Sequence, residues 1–132
     1  MLLFLDTSDY KTVKFALVTE KNVREFSWSA EKSVSELFSS KLRKFIKQNK
    51  VKLEQLKKIG VIIGPGQFTQ IRTGIAYANA LGFSLNIPVV GVKKDSVQNI
   101  KQLLKLKGQK QIKPFYDKAP NITKAKKRKL NF

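Results

Sequence analysis

One short run of residues constrains the fold more than any other part of the sequence. Residues 59–63 are continuously apolar, and the turn Gly64-Pro65-Gly66 follows them directly. A run of this length and character is typical of a strand buried on both faces, as in a sheet covered by helices. The sequence from 68 to 86 then predicts a helix, and residues 89–92 predict another buried strand. This strand–helix–strand order indicates an α/β fold.

The residues before this run predict three further strands. Residues 2–5 are apolar and end at the turn cluster Asp6-Thr7-Ser8-Asp9. Val13, Phe15 and Leu17 alternate with Lys14, Ala16 and Val18, and the apolar positions of residues 23–28 continue the strand pattern. Three consecutive strands joined by tight turns predict an antiparallel meander.

Two further segments have helical spacing. The first is residues 31–48, where apolar residues recur every three or four positions and Ser33 and Glu36 suggest a capping box. A shorter turn follows, carrying Leu53 and Leu56. The other segment begins at Asp95 or Ser96, either of which would cap it, and is predicted to be the third helix along the chain. Its apolar positions are Val97, Ile100, Leu103 and Leu104.

The predicted order is three strands, helix, strand, helix, strand, helix. It matches the ribonuclease H-like arrangement shared by the actin-like ATPase superfamily, a mixed five-stranded sheet with flanking helices. We assign residues 1–107 to this single domain. Residues 101–132 hold 11 Lys or Arg and one acid, a net charge of 11 − 1 = +10. We therefore expect residues 108–132 to form a basic, extended or disordered tail.

Charge and missing residue types narrow the function. The whole chain has 27 basic and 9 acidic residues, a net charge of +18. Such an excess favours an anionic partner, with nucleic acid first, although a Lys-rich coding bias explains it as well. The absence of histidine and cysteine excludes His-based triads and thiolate metal sites. No apolar run approaches the ~20 residues that span a bilayer, so we expect a cytoplasmic protein without membrane contact.

Three motifs carry possible chemistry. Asp6-Thr7-Ser8 ends the first strand, where it forms either an ordinary polar turn or a phosphate contact. A metal-dependent nuclease needs several converging carboxylates, and no other acid ends a predicted buried strand, so we predict no metal site. The Gly64-Pro65-Gly66 turn precedes a helix, where backbone N–H groups hold anions, although tight structural turns have the same sequence. The basic cluster suits phosphate contacts or is a solvated chain end; its residues are Lys124, Lys126, Lys127, Arg128 and Lys129.

The segment from 64 to 74 resembles the signature of the TsaB (YeaZ) family, Gly-Pro-Gly-Ser-Phe-Thr-Gly-Leu-Arg-Ile-Gly. Gln67, Gln70 and Thr73 depart from that pattern. Residues 5–8, 35–37 and 86–92 resemble other family segments in the same order, and residues 114–124 resemble the family's carboxyl end. The matching residues of the signature are Gly64, Pro65, Gly66, Phe68, Thr69, Arg72 and Gly74.

The resemblance implies a non-catalytic scaffold, in a shortened form lacking most of the family's second domain. It implies pairing with a TsaD-like subunit that transfers the threonylcarbamoyl group to tRNA, together with a TsaE-like ATPase. ATP and metal are then expected on the partner subunits, with no cofactor on this chain alone. The pairing is expected to use the two long helices, including Leu37, Phe38 and Ala78 besides the signature residues.

Two alternatives remain from other classes. A stand-alone RNA-binding module would bind tRNA without a protein partner, and its affinity would fall steeply as the salt concentration rises. A homodimeric structural protein would use the same helix pair to meet a second copy. The peptidase-like relatives of this superfamily use a His-based metal site, which this chain lacks the residues to build.

Overall fold

A computed structural model describes residues 1–31 and 33–113. It contains one five-stranded sheet with the order β3-β2-β1-β4-β5. The strands are β1 (Leu2–Asp6), β2 (Thr12–Val18), β3 (Val23–Ser29), β4 (Lys58–Gly64) and β5 (Val89–Lys93). The ribonuclease H-like, actin-like fold class predicted from the sequence is confirmed.

The sheet joins an antiparallel half to a parallel half at β1. On one side β1 pairs antiparallel with β2, with Leu5 opposite Phe15, and β2 pairs antiparallel with β3. On the other side β1 pairs parallel with β4, which pairs parallel with β5. The predicted meander and both buried strands are therefore confirmed, and the carboxyl ends of three parallel strands meet at one edge.

The first long helix, α1 (Val34–Gln48), begins three residues later than its apolar pattern predicts. The reason is the cap, because the Ser33 hydroxyl accepts a 3.4 Å hydrogen bond from the Glu36 N–H and so fixes the first turn. The helix buries Phe38 against the sheet, where its ring meets Phe15 edge-on with centroids 5.1 Å apart. The second helix, α2 (Phe68–Leu85), ends one residue before its predicted bound, and Asn86 caps it in the left-handed conformation.

The predicted third helix is wrong. Residues 94–105 form two short 3₁₀ segments, Lys94–Ser96 and Ile100–Lys105, with Asn99 capping the second. Val97, Ile100 and Leu103 are spaced by three, which is the period of a 3₁₀ helix. Leu103 is buried under Gly60 on the sheet face opposite α1 and α2, so these segments still cover that face.

The first residues of the predicted tail lie against the domain. Gln109 exchanges two 2.7 Å backbone hydrogen bonds with Val89, and Ile112 is buried. Asn79 in α2 holds the Ile112 backbone through two 2.9 Å hydrogen bonds. The remaining residues of the tail, including the basic cluster at 124–129 and the family-like segment at 114–124, lie outside the described residues.

Candidate functional site

The turn after β1 is a closed polar cluster. Asp6 Oδ1 accepts hydrogen bonds from the Ser8 N–H at 2.9 Å and from the Ser8 hydroxyl at 2.6 Å. Lys94 directly follows β5, which runs parallel to β1 beyond β4. Its Nζ donates to Ser8 Oγ at 2.7 Å and lies 3.9 Å from Asp6 Oδ2. The predicted phosphate turn therefore has its own cation. Lys94 was not among the residues predicted for this turn, although its place directly after a predicted parallel strand was a usable signal.

Thr7 fastens this turn to α2. Its hydroxyl is fully buried and donates a 2.6 Å hydrogen bond to the carbonyl of Gln70. Gly74, one helical turn later, lies directly over Thr7, and a Cβ added to it would lie 2.5 Å from Thr7 Oγ1. A Cβ added to Gly66 would likewise lie 2.6 Å from the carbonyl oxygen of Ser8. Both signature glycines thus allow close approach between the turn and the helix.

The residues that depart from the family signature have a local role. The Gln67 side chain accepts a 2.7 Å hydrogen bond from the Gln70 N–H and so caps α2. The Gln70 side chain is itself buried, with its Oε1 atom unpartnered among the described residues. The turn before the cap contains a cis Gly64–Pro65 peptide bond, and Gly64 has a φ of 132° that favours glycine. The signature is therefore the entry to α2.

The structure corrects part of the predicted interface. Phe38 and Ala78 are fully buried inside the chain's own core, and Gly74 is buried against Thr7. The small residues that face the sheet, Gly74, Ala78 and Gly82, let α2 approach it closely. Phe38, Gly74 and Ala78 therefore support the helices from beneath, and the prediction that these three residues contact a partner is wrong. Leu37 is partly buried at the edge of the core.

The outer face of α2 does remain exposed. Arg72 is the only charged residue in the 18 residues of the helix, and its guanidinium lies 5.0 Å from the centre of the Phe68 ring. At 100° per residue, the exposed residues fall on one side of the helix. Phe83 is 88% exposed and Phe68 52% exposed. This outer face consists of Phe68, Thr69, Arg72, Ala76, Ala80, Phe83 and Ser84.

An apolar groove runs beside this face, between α1 and α2. It has a volume of about 360 Å³ and a floor made by Leu42, Ile46, Tyr77 and Leu81. Ser39, Arg43 and Lys47 form its α1 rim. We call the groove and the outer face of α2 together the helix-pair surface.

The described residues contain no group of three or more acidic side chains able to hold a metal ion. Within the same residues, no helix is both long and apolar enough to cross a membrane.

Comparison with known proteins gives consistent relatives. The family model described as TsaD, tRNA N6-adenosine threonylcarbamoyltransferase, matches residues 28–116. The tRNA threonylcarbamoyladenosine biosynthesis protein TsaB of Buchnera aphidicola subsp. Schizaphis graminum is 32% identical over 98 residues, which cover 74% of this chain and 46% of that protein. The protein of the same name from Bacillus subtilis strain 168 is 33% identical over 92 residues, which cover 69% of this chain and 40% of that protein.

The fold agrees with a solved relative. The structure of YeaZ from Pseudomonas aeruginosa superposes with a TM-score of 0.65 at 28% identity, covering 70% of this chain and 43% of that one. The chain thus spans less than half the length of the relatives it matches. From the family-model match and these relatives together, the chain belongs to the TsaB (YeaZ) family.

Proposed function

We propose that this chain is a non-catalytic subunit in the formation of threonylcarbamoyladenosine in tRNA. In this role it pairs through the helix-pair surface with a TsaD-like catalytic subunit. The partner subunits, which include a TsaE-like ATPase, bind ATP and metal. The chain contacts tRNA as part of the complex. The relatives that are tRNA threonylcarbamoyladenosine biosynthesis proteins support the role in this modification, and the surface of α2 supports the pairing.

The composition of α2 carries the proposal. In a chain where 27% of the residues are charged, a helix exposed along one side has a single charge, Arg72. Solvated helices normally present charged residues outward, and contiguous exposed apolar surface marks a binding site. Ala76 and Ala80 are exposed between Phe68 and Phe83, so a second helix can approach closely there. The apolar groove beside them extends the same surface onto α1.

The experiment is co-expression of the tagged chain with the TsaD homologue of its own organism. We expect the pair to co-purify, and we expect Ala80→Lys to abolish the pairing because it places a charge at the centre of the apolar face. Gln102→Lys is the matched control, since it adds the same charge at an exposed position outside this surface. Circular dichroism checks that both variants fold.

Two results overturn the pairing. One is co-purification that survives Ala80→Lys as well as it survives Gln102→Lys. The other is a native mass showing only a homodimer of this chain, with no TsaD homologue bound, which would assign the helix-pair surface to self-association.

A further inference from the structure

A second surface lies at the carboxyl end of α1, where the helix meets the β2–β3 turn. A pocket of about 230 Å³ opens there, and its polar lining includes Thr19, Asn22, Arg24, Asn49, Lys50 and Gln55. Arg24 Nη1 donates a 3.3 Å hydrogen bond to Asn49 Oδ1, which holds the guanidinium beside the pocket. Arg24 and Lys50 are both exposed.

These two cations have no anionic partner among the described residues. The ion pairs there are Lys14 with Glu25 and Lys94 with Asp6, and neither includes Arg24 or Lys50. The surrounding segment adds further positive charge, since residues 41–58 contain eight Lys or Arg and one acid, Glu54, for a net charge of 8 − 1 = +7. Lys47 and Lys52, on either side of Lys50, are exposed.

The backbone of Lys50 adds an independent observation. Lys50, the second residue after α1, has a φ of 57°, in the left-handed region that favours glycine or asparagine. Asn86, the first residue after α2, has the same φ of 57°. Lysine is therefore not the residue that the backbone prefers at this helix end. Strained residues of this kind cluster at functional positions, and here the strain places an ammonium group at the pocket.

From this geometry we infer that the pocket binds a phosphate of RNA, with Arg24 and Lys50 as its cations. Phosphate contacts need positive charge and N–H or O–H donors, which the pocket supplies. The Asn22 side-chain amide suits a neighbouring ribose 2′-hydroxyl, which both donates and accepts. An acidic protein is a weaker match, because none of the pocket residues belongs to the exposed large hydrophobics that a protein interface needs at its centre.

This RNA surface adjoins the helix-pair surface, because Val51 lines both the pocket and the groove, whereas Arg24 and Lys50 line the pocket alone. The inference does not depend on the proposed pairing. The RNA surface also differs from the basic cluster at 124–129, which lies outside the described residues. The test therefore uses the full chain alone, so that its failure leaves the pairing with the TsaD homologue untouched.

The experiment measures binding of an in vitro transcribed tRNA over a range of salt concentrations. The test variant is Arg24→Gln with Lys50→Asn; asparagine tolerates the left-handed backbone, so the helix end is preserved. Because Arg24 and Lys50 hold one phosphate together, the double substitution should reduce the steepness of log affinity against log salt by about 0.7–0.9. The control, Lys105→Gln with Lys107→Gln, removes the same charge at exposed positions elsewhere.

We expect the test variant to lose more affinity and more salt dependence than the control. In the original chain, ultraviolet cross-links to tRNA should lie in peptides around Arg24 and Lys50. Equal losses in the two variants, with cross-links confined to residues 124–129, would overturn the inference. Binding of polyglutamate through Arg24 and Lys50, without binding of tRNA, would also overturn it and assign the pocket to an acidic protein.

Discussion

The hydroxyl of Thr7 lies directly beneath Gly74, so that a side chain on residue 74 would begin 2.5 Å from Thr7 Oγ1. Thr7 ends the first strand and Gly74 lies in the second helix, so this contact fixes the height of α2 above the sheet. The helix-pair surface depends on that height, because the same helix carries both the outer apolar face and one wall of the groove.

We predict that Gly74→Ala destabilises the domain by about 1–2 kcal/mol. Overpacking costs about 1–3 kcal/mol, while alanine returns up to about 1 kcal/mol of helix propensity. A double-mutant cycle with Thr7→Ala, followed by urea unfolding, isolates the contact. The second substitution should recover about 1 kcal/mol, and purely additive losses would show that the contact is not the cause.

The Gln67 cap gives a second prediction. Gln67→Ala should lower the free energy of unfolding by about 0.5–1 kcal/mol, because the Gln70 N–H loses its acceptor. Gln67→Ser should keep the stability of the original chain, since serine is a favoured cap. Chemical denaturation compares the three proteins, and equal stability of the alanine and serine variants would argue against the cap.

Substitution of a buried aromatic residue should lower stability, whereas substitution of an exposed one should weaken partner binding. Phe38 is fully buried and stacks on Tyr77 with ring centroids 4.2 Å apart, so Phe38→Ala should cost about 3–5 kcal/mol. Phe83 is 88% exposed, so Phe83→Ala should change stability by less than about 0.5 kcal/mol while weakening the partner complex. Thermal melts and co-purification measure the two effects; a large loss of stability on Phe83→Ala would contradict an exposed position.

The helix end at Lys50 predicts an opposition between stability and RNA binding. A left-handed backbone costs a non-glycine residue about 1–2 kcal/mol, and glycine loses about 0.5–1 kcal/mol more in backbone entropy on folding. Lys50→Gly should therefore raise the free energy of unfolding by roughly 0.5–1 kcal/mol while it weakens tRNA binding. Asn86→Gly, at the equivalent end of α2, should gain less stability and leave tRNA binding unchanged.

The strands and the two long helices follow from local pattern alone. Residues 59–63 are apolar without alternation because helices cover one sheet face and the 3₁₀ segments cover the other. The segment through Val97, Ile100 and Leu103 misleads, since spacing by three fits a 3₁₀ helix and is also tolerated in an α-helix. Only the Asn99 cap and the contact of Leu103 with Gly60 decide between them.

The candidate site was predictable in part. The signature segment and the Asp6-Thr7-Ser8 turn both resemble segments of the family, in the same order along the chain. The structure brings the two into contact through Thr7 and Gly66. Which small residues of α2 face the sheet depends on the rotation of the helix, so Ala78 could not be separated from Ala80 by composition. Lys94 is far in sequence from the Asp6-Thr7-Ser8 turn, and Arg24 is far from Lys50. Only the fold brings each pair together.

The most direct test of the proposed function is the amount of threonylcarbamoyladenosine in tRNA from cells depleted of this chain, measured by mass spectrometry of digested tRNA. Depletion should lower the modification, and the original chain or Gln102→Lys should restore it, whereas Ala80→Lys should not. An unchanged level of the modified nucleoside after depletion would contradict the account.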